Sequence, residues 1–171
     1  MQRRAFLVFA ASSASLVLIS LNGCGFALRK APDFAFTTLY SSLAESSPLG
    51  VELRRSLEAT RKVKVISDAG RINEAQVILE VLLDQREKVV LSLNASGQVR
   101  EFQLRLRFRF RLRTPAGKEL IPASEIALQR DISFNESAVL AKEAEENLLY
   151  RDMQSDVVQQ IMRRLAAVKE L

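Results

Sequence analysis

Between Phe102 and Arg113 the chain alternates without a break. Phe102, Leu104, Leu106, Phe108, Phe110 and Leu112 fall on one side, and Arg105, Arg107, Arg109, Arg111 and Arg113 on the other. Successive side chains of a strand point to opposite faces, so this period of two predicts a long strand, apolar inward and cationic outward. A helix would scatter both sets around its axis. Residues 75–83, rich in Val, Ile and Leu, read as a buried strand. Residues 88–94 read as a second, looser strand with Val89, Leu91 and Leu93 on one side. Asn94-Ala95-Ser96-Gly97 and Thr114-Pro115-Ala116-Gly117 are turn chemistry, and residues 118–132 form the following strand. With Gly117 in the left-handed position of a three-residue hairpin loop, Arg111 would face Glu119 and Arg105 would face Glu125. In the same register Phe110 faces Leu120 and Leu104 faces Ile126. Pro122 has no N–H to give a ladder, so its strand should lie at an edge or carry a bulge.

A period near 3.6 marks two other segments. Ser47-Pro48 is an N-cap followed by proline at the first helical position, and Leu49, Leu53 and Leu57 continue as an apolar stripe. Val63-Lys64-Val65-Ile66 then returns to extended chain. The second helix covers residues 138–169, with Leu149, Met153, Val157, Ile161, Leu165 and Val168 on one face and Asn135 or Ser137 as cap. Residues 34–40 suit a first strand. The order predicts an α+β domain: two helices packed on one face of a mainly antiparallel four-stranded, or slightly larger, sheet. The arginines occupy its other face.

Ahead of this domain, Met1-Gln2-Arg3-Arg4 precedes an apolar run over residues 5–21 and then Asn22-Gly23-Cys24, which reads as a secretory leader. Leu21-Asn22-Gly23-Cys24 resembles the bacterial lipobox, in which the cysteine is acylated and becomes the mature N-terminus. The alternative is an uncleaved anchor helix, for which the serines at 12, 13 and 15 make a poor span. Several acyl chains, at about 0.8 kcal/mol per buried methylene, anchor a protein durably. Gly25 in place of an aspartate predicts export to the outer membrane, by resemblance to Gram-negative lipoproteins. The expected organisation is a signal peptide over 1–23, a lipidated tether over 24–33 and a single α+β domain over 34–171.

Cys24 is the only cysteine, so no intramolecular disulfide can form and packing alone must hold the domain. The chain has no histidine. These two facts remove the commonest general base, the usual cysteine and serine nucleophile arrangements, and the common transition-metal ligand sets. No glycine-rich phosphate loop is present. Glu143, Glu145 and Glu146 read as solvated first turns of the long helix, where negative charge suits the dipole. Neither an enzyme nor a cofactor is expected. The charge is concentrated: residues 100–113 hold six arginines and one glutamate. Three readings of the row stay open. It is a solvated face paired across strands, a nucleic-acid surface, or a face for a phosphorylated or acidic partner outside the cytoplasm, which arginine's planar fork suits. Export and the lack of aromatics on the arginine face count against nucleic acid.

Cys24-Gly25-Phe26-Ala27-Leu28-Arg29 resembles the C-G-[FW]-x-L-R start of the lipopolysaccharide-assembly lipoproteins of the LptE (RlpB) family. The resemblance continues in Ser96-Gly97-Gln98, Glu101-Phe102-Gln103-Leu104, Leu140-Ala141-Lys142, Glu145-Glu146 and Gln160-Ile161-Met162-Arg163-Arg164-Leu165. It implies an outer-membrane lipoprotein, anchored through acylated Cys24, that plugs the LptD β-barrel, assists its assembly and binds lipopolysaccharide. The family's ligand-binding lysine maps onto Lys142. Its companion arginine has no counterpart in Asn94-Ala95-Ser96, and Arg100 is the candidate substitute. A structural envelope scaffold with no lipid ligand is the alternative.

Overall fold

The computed structural model describes residues 32–171, and Pro32–Leu171 forms one compact unit. The leader, Cys24 and most of the tether lie outside the described residues. In chain order come β1 (Thr38–Ser41), α1 (Pro48–Ala59), β2 (Lys64–Ile66), β3 (Val77–Leu93), β4 (Val99–Arg113), β5 (Glu119–Ser133) and α2 (Val139–Ala167). Two short 3-10 turns, Ala69–Glu74 and Glu136–Ala138, lead into β3 and α2. The sheet has five strands in the order β2-β1-β3-β4-β5. β1 runs parallel to both its neighbours, and the other pairs are antiparallel.

β4 behaves as its alternation requires. Leu104, Leu106, Phe108, Phe110 and Leu112 are fully buried. They meet Leu49, Leu53 and Leu57 of α1 and Met153, Val157, Ile161 and Leu165 of α2 in one hydrophobic cluster. Ser47 caps α1 by accepting from the Gly50 N–H, with Pro48 opening the helix. A part-buried polar link ties the layers. Glu52 of α1 accepts from Gln154 Nε2 (2.7 Å) and Ser155 Oγ (2.6 Å) of α2, and Arg86 of β3 donates to Gln154 Oε1 (2.8 Å).

Four expectations change. Residues 75–83 and 88–94 are not two strands but parts of one, the 17-residue β3, because the joining Asp84-Gln85-Arg86-Glu87 contains no glycine or proline to turn the chain. A bulge at Leu82 then reverses its faces. Val81 pairs with Phe110 on the helix side, whereas beyond the bulge it is Arg86 and Lys88 that pair with Leu106 and Leu104. Val89, Leu91 and Leu93 are exposed, as is Val90 opposite Phe102. The β4–β5 register also differs. Phe110 faces Ser124 and Leu104 faces Arg130, four residues from the expected partners. The hairpin closes on Thr114 and Lys118 with Gly117 at φ +92°. Irregularities on either side of Ile121 then let β5 advance from Glu119 to Ser124 while β4 moves only from Arg113 to Phe110. The displacement is even, so Ile126 still faces the core. Pro122 sits at this bulge on an edge strand, where its missing N–H costs least. Asn135 caps the short 3-10 turn, and α2 itself starts at Val139, with Ala138 in the cap position offering no side-chain cap. The first strand starts at Thr38, after Phe36 has already been buried.

Phe108→Ala should lower the unfolding free energy by about 3–5 kcal/mol, since it empties a fully buried ring site between sheet and helices. Urea unfolding of the purified protein measures this. A loss below about 1 kcal/mol would mean that the layers do not close on β4 as described.

Candidate functional site

Two charged regions come out of this architecture, one on each side of β4. On the open face, strict alternation presents the five arginines, and β3 and β5 decide which remain free. Arg111 and Arg113 both bind Glu80 of β3, Arg113 Nε lying 2.6 Å from its carboxylate. Arg107 forks onto Glu125 of β5 through Nε (2.8 Å) and a terminal nitrogen (3.3 Å). The expected Arg111–Glu119 and Arg105–Glu125 pairs are absent, because the register carries Glu125 beside Arg109 and within reach of Arg107. Arg105 instead donates to Gln103 Oε1 at 2.7 Å. Arg109 stands in register between Leu83 and Glu125. Neither Arg105 nor Arg109 forms an ion pair among the described residues.

The face is closer to neutral than a count of glutamates in β5 suggests. β3, the second neighbour, brings Glu80 opposite Arg111 and Glu87 opposite Arg105. Burial pushes the Glu80 carboxyl up, but hydrogen bonds from Arg113 and Arg111 and their two positive charges outweigh it and hold the group below its ordinary value of 4.5. The Glu125 carboxyl is likewise lowered, chiefly by the hydrogen bond from Arg107.

The second region lies on the helix side, where the start of α2 rises off the ends of β3, β4 and β5. Phe102, Ile132 and Phe134 floor a cleft of about 220 Å³, and Val139 forms part of its wall. Phe134 packs edge-on against Phe102, with ring centres 5.3 Å apart at 79°. Lys142 and Lys88 both reach this cleft. Lys142 Nζ is held by Glu145 (2.8 Å) and Ser133 Oγ (3.0 Å). Lys88 Nζ meets Glu146 at 2.6 Å and stands 4.3 Å from the Phe102 ring centre. Glu145 and Glu146 are thus partners of lysines, beyond the solvated role expected of them.

Arg100 is not among the residues lining the cleft. It lies one same-face position beyond Phe102, in the strand where its carbonyl accepts the Phe134 N–H at 2.7 Å. It forms no ion pair among the described residues. Lys88 is the cation that sequence reasoning missed. The Leu82 bulge hides it, since without the bulge position 88 would face the arginine side. Cys24 lies outside the described residues, so its chemistry stands on the sequence alone. Among the described residues no group of His, Cys, Asp or Glu is arranged to hold a metal ion, and no helix is long and apolar enough to cross a membrane.

Residues 36–165 match the family model described as LptE, lipopolysaccharide-assembly. The LPS-assembly lipoprotein LptE of Pectobacterium atrosepticum is 28% identical over 155 residues, covering 90% of this chain and 82% of that protein. Among solved structures, lipoprotein B of Nitrosomonas europaea superposes with a TM-score of 0.70 at 36% identity, covering 84% of this chain and 92% of that one. The rare lipoprotein B of Shewanella oneidensis superposes with a TM-score of 0.62 at 27% identity, covering 77% and 93%.

The arginine ladder predicts an acid-sensitive fold. A carboxyl held low in the folded state contributes stability that is present above its ordinary value and lost as pH falls through the lowered one. Stability should therefore fall from about pH 4.5 downward, and Glu80→Gln should be less stable at neutral pH yet lose less on acidification. Thermal unfolding across that range checks it. Parallel curves for the two proteins would contradict the pairing.

Proposed function

The chain belongs to the LptE lipopolysaccharide-assembly family, and on that premise we propose that it is an outer-membrane lipoprotein, tethered by acyl chains on Cys24, that plugs an LptD-type β-barrel. In this role it assists assembly of the barrel and binds lipopolysaccharide on its way to the cell surface. The work is done by binding, with no covalent step and no cofactor. The observation that carries the reading is the family match over residues 36–165, nearly the whole compact unit.

The residues supply a consistent physical role. Lys142 and Lys88 bring two ammonium groups to one cleft, and Arg100 adds an uncommitted guanidinium beside it. Phosphate accepts charge-assisted hydrogen bonds from such groups, and arginine's fork suits it best. The lysines start out held by Glu145 and Glu146, so a phosphate must compete with carboxylates already in place. Arg100 faces no such competition, which makes it the stronger anchor. One observation favours the structural-scaffold alternative without a lipid ligand: Arg107, Arg111 and Arg113 are satisfied within the sheet.

Replacing both Arg100→Asp and Lys142→Asp should weaken lipopolysaccharide binding tenfold or more, on the scale of about 1.5 kcal/mol for each charged hydrogen bond lost. Barrel co-purification should be retained. Binding by the wild type should also weaken as salt screens the exposed charges. If the double variant binds as the wild type does and assembles barrels normally, these residues are not ligand contacts and the scaffold reading takes over.

A further inference from the structure

We infer that the open end of the helix–sheet layer is an acyl-chain subsite, in which an apolar strip beside the Lys88 and Lys142 pairs takes a segment of one lipid chain. The inference rests on the lipopolysaccharide-binding reading above and names which part of that ligand the cleft holds.

Apolar surface here is exposed in excess of what the fold needs. Val90 stands opposite Phe102 on the helix side of the sheet and is 48% exposed. Val139, which lines the cleft, is 40% exposed, and Leu140, the next residue of α2 and outside the cleft lining, is 82% exposed. Phe102 and Phe134 continue the strip inward by their edge-on contact. Large side chains rarely stay in water as a contiguous group unless something covers them in function.

The charges at the rim say what kind of molecule does so. Both lysines are already neutralised, Lys88 by Glu146 and Lys142 by Glu145, so charge alone offers an incoming anion little. An apolar chain has no such competitor, and each methylene withdrawn from water is worth about fourfold in affinity. Phosphates then orient the ligand chiefly at Arg100 while the chain holds it. A cleft of about 220 Å³ is smaller than the pockets that enclose whole drug-sized ligands. It suits a chain segment, with the remaining chains left outside.

Surface plasmon resonance on the immobilised full-length protein tests this, using lipopolysaccharide and its de-O-acylated form as probes. The subsite predicts that removing the ester-linked chains weakens binding about tenfold or more. Val90→Glu and Leu140→Glu, both at exposed positions, should weaken binding of the intact form only, with unfolding temperatures near that of the wild type. Arg100→Asp should weaken both forms. Equal binding of the two forms would overturn the subsite and leave the phosphate contacts standing. Binding of neither form would overturn the lipopolysaccharide reading together with it. If the Val90 and Leu140 variants keep lipopolysaccharide but lose the barrel on co-purification, the strip is a protein contact and the subsite is wrong.

Discussion

The alternation of β4 is the constraint from which the rest of the structure follows. One strand carries both the floor of the core and the whole arginine row, because its odd and even positions cannot share a face. Burying Leu104 through Leu112 under the two helices commits the arginines to the opposite side. That commitment in turn requires carboxylates on both flanking strands. Glu80 of β3 and Glu125 of β5 answer it, each placed by register within reach of the guanidinium groups. Five arginines on one unrelieved face would repel along a rigid ladder about 6.8 Å apart. The sheet turns most of that repulsion into pairing.

Much of this was legible in the residues. A period of 2 placed β4 and its two faces, a period of 3.6 placed both helices, the turn at Thr114–Gly117 placed β5, and Ser47-Pro48 marked the start of α1. What stayed hidden were bulges. A bulge costs no distinctive residue, and Leu82 looks like any other apolar strand position. Yet it exchanges the faces of everything from Leu83 to Val90, sending Lys88 to the helix side and Val89 to the arginine side. Pro122 announced the irregularity in β5 but not its size, and the two residues absorbed around it shifted every β4–β5 pair beyond it. The candidate site shows the same pattern. Lys142 was found through resemblance, whereas its neighbour Lys88 became visible only once the bulge was known.

The two faces of the sheet have different characters as a result. The arginine side is largely self-satisfied, with Arg105 and Arg109 as its cations without an ion pair among the described residues. The helix side ends in a cleft where aromatic rings, exposed aliphatic side chains and paired lysines meet. Membership in the lipopolysaccharide-assembly family gives that contrast a reading. An amphipathic opening at one end suits a ligand that is itself amphipathic.

The central claim is that the protein works inside a barrel and beside lipopolysaccharide. A mild-detergent pull-down from outer membranes through a C-terminal tag, with mass spectrometry of the co-purified proteins and lipids, tests it most directly. The account predicts one large β-barrel protein in stoichiometric amount with lipid A enriched beside it. Recovery of the lipoprotein alone, or with periplasmic scaffold proteins only, would contradict it.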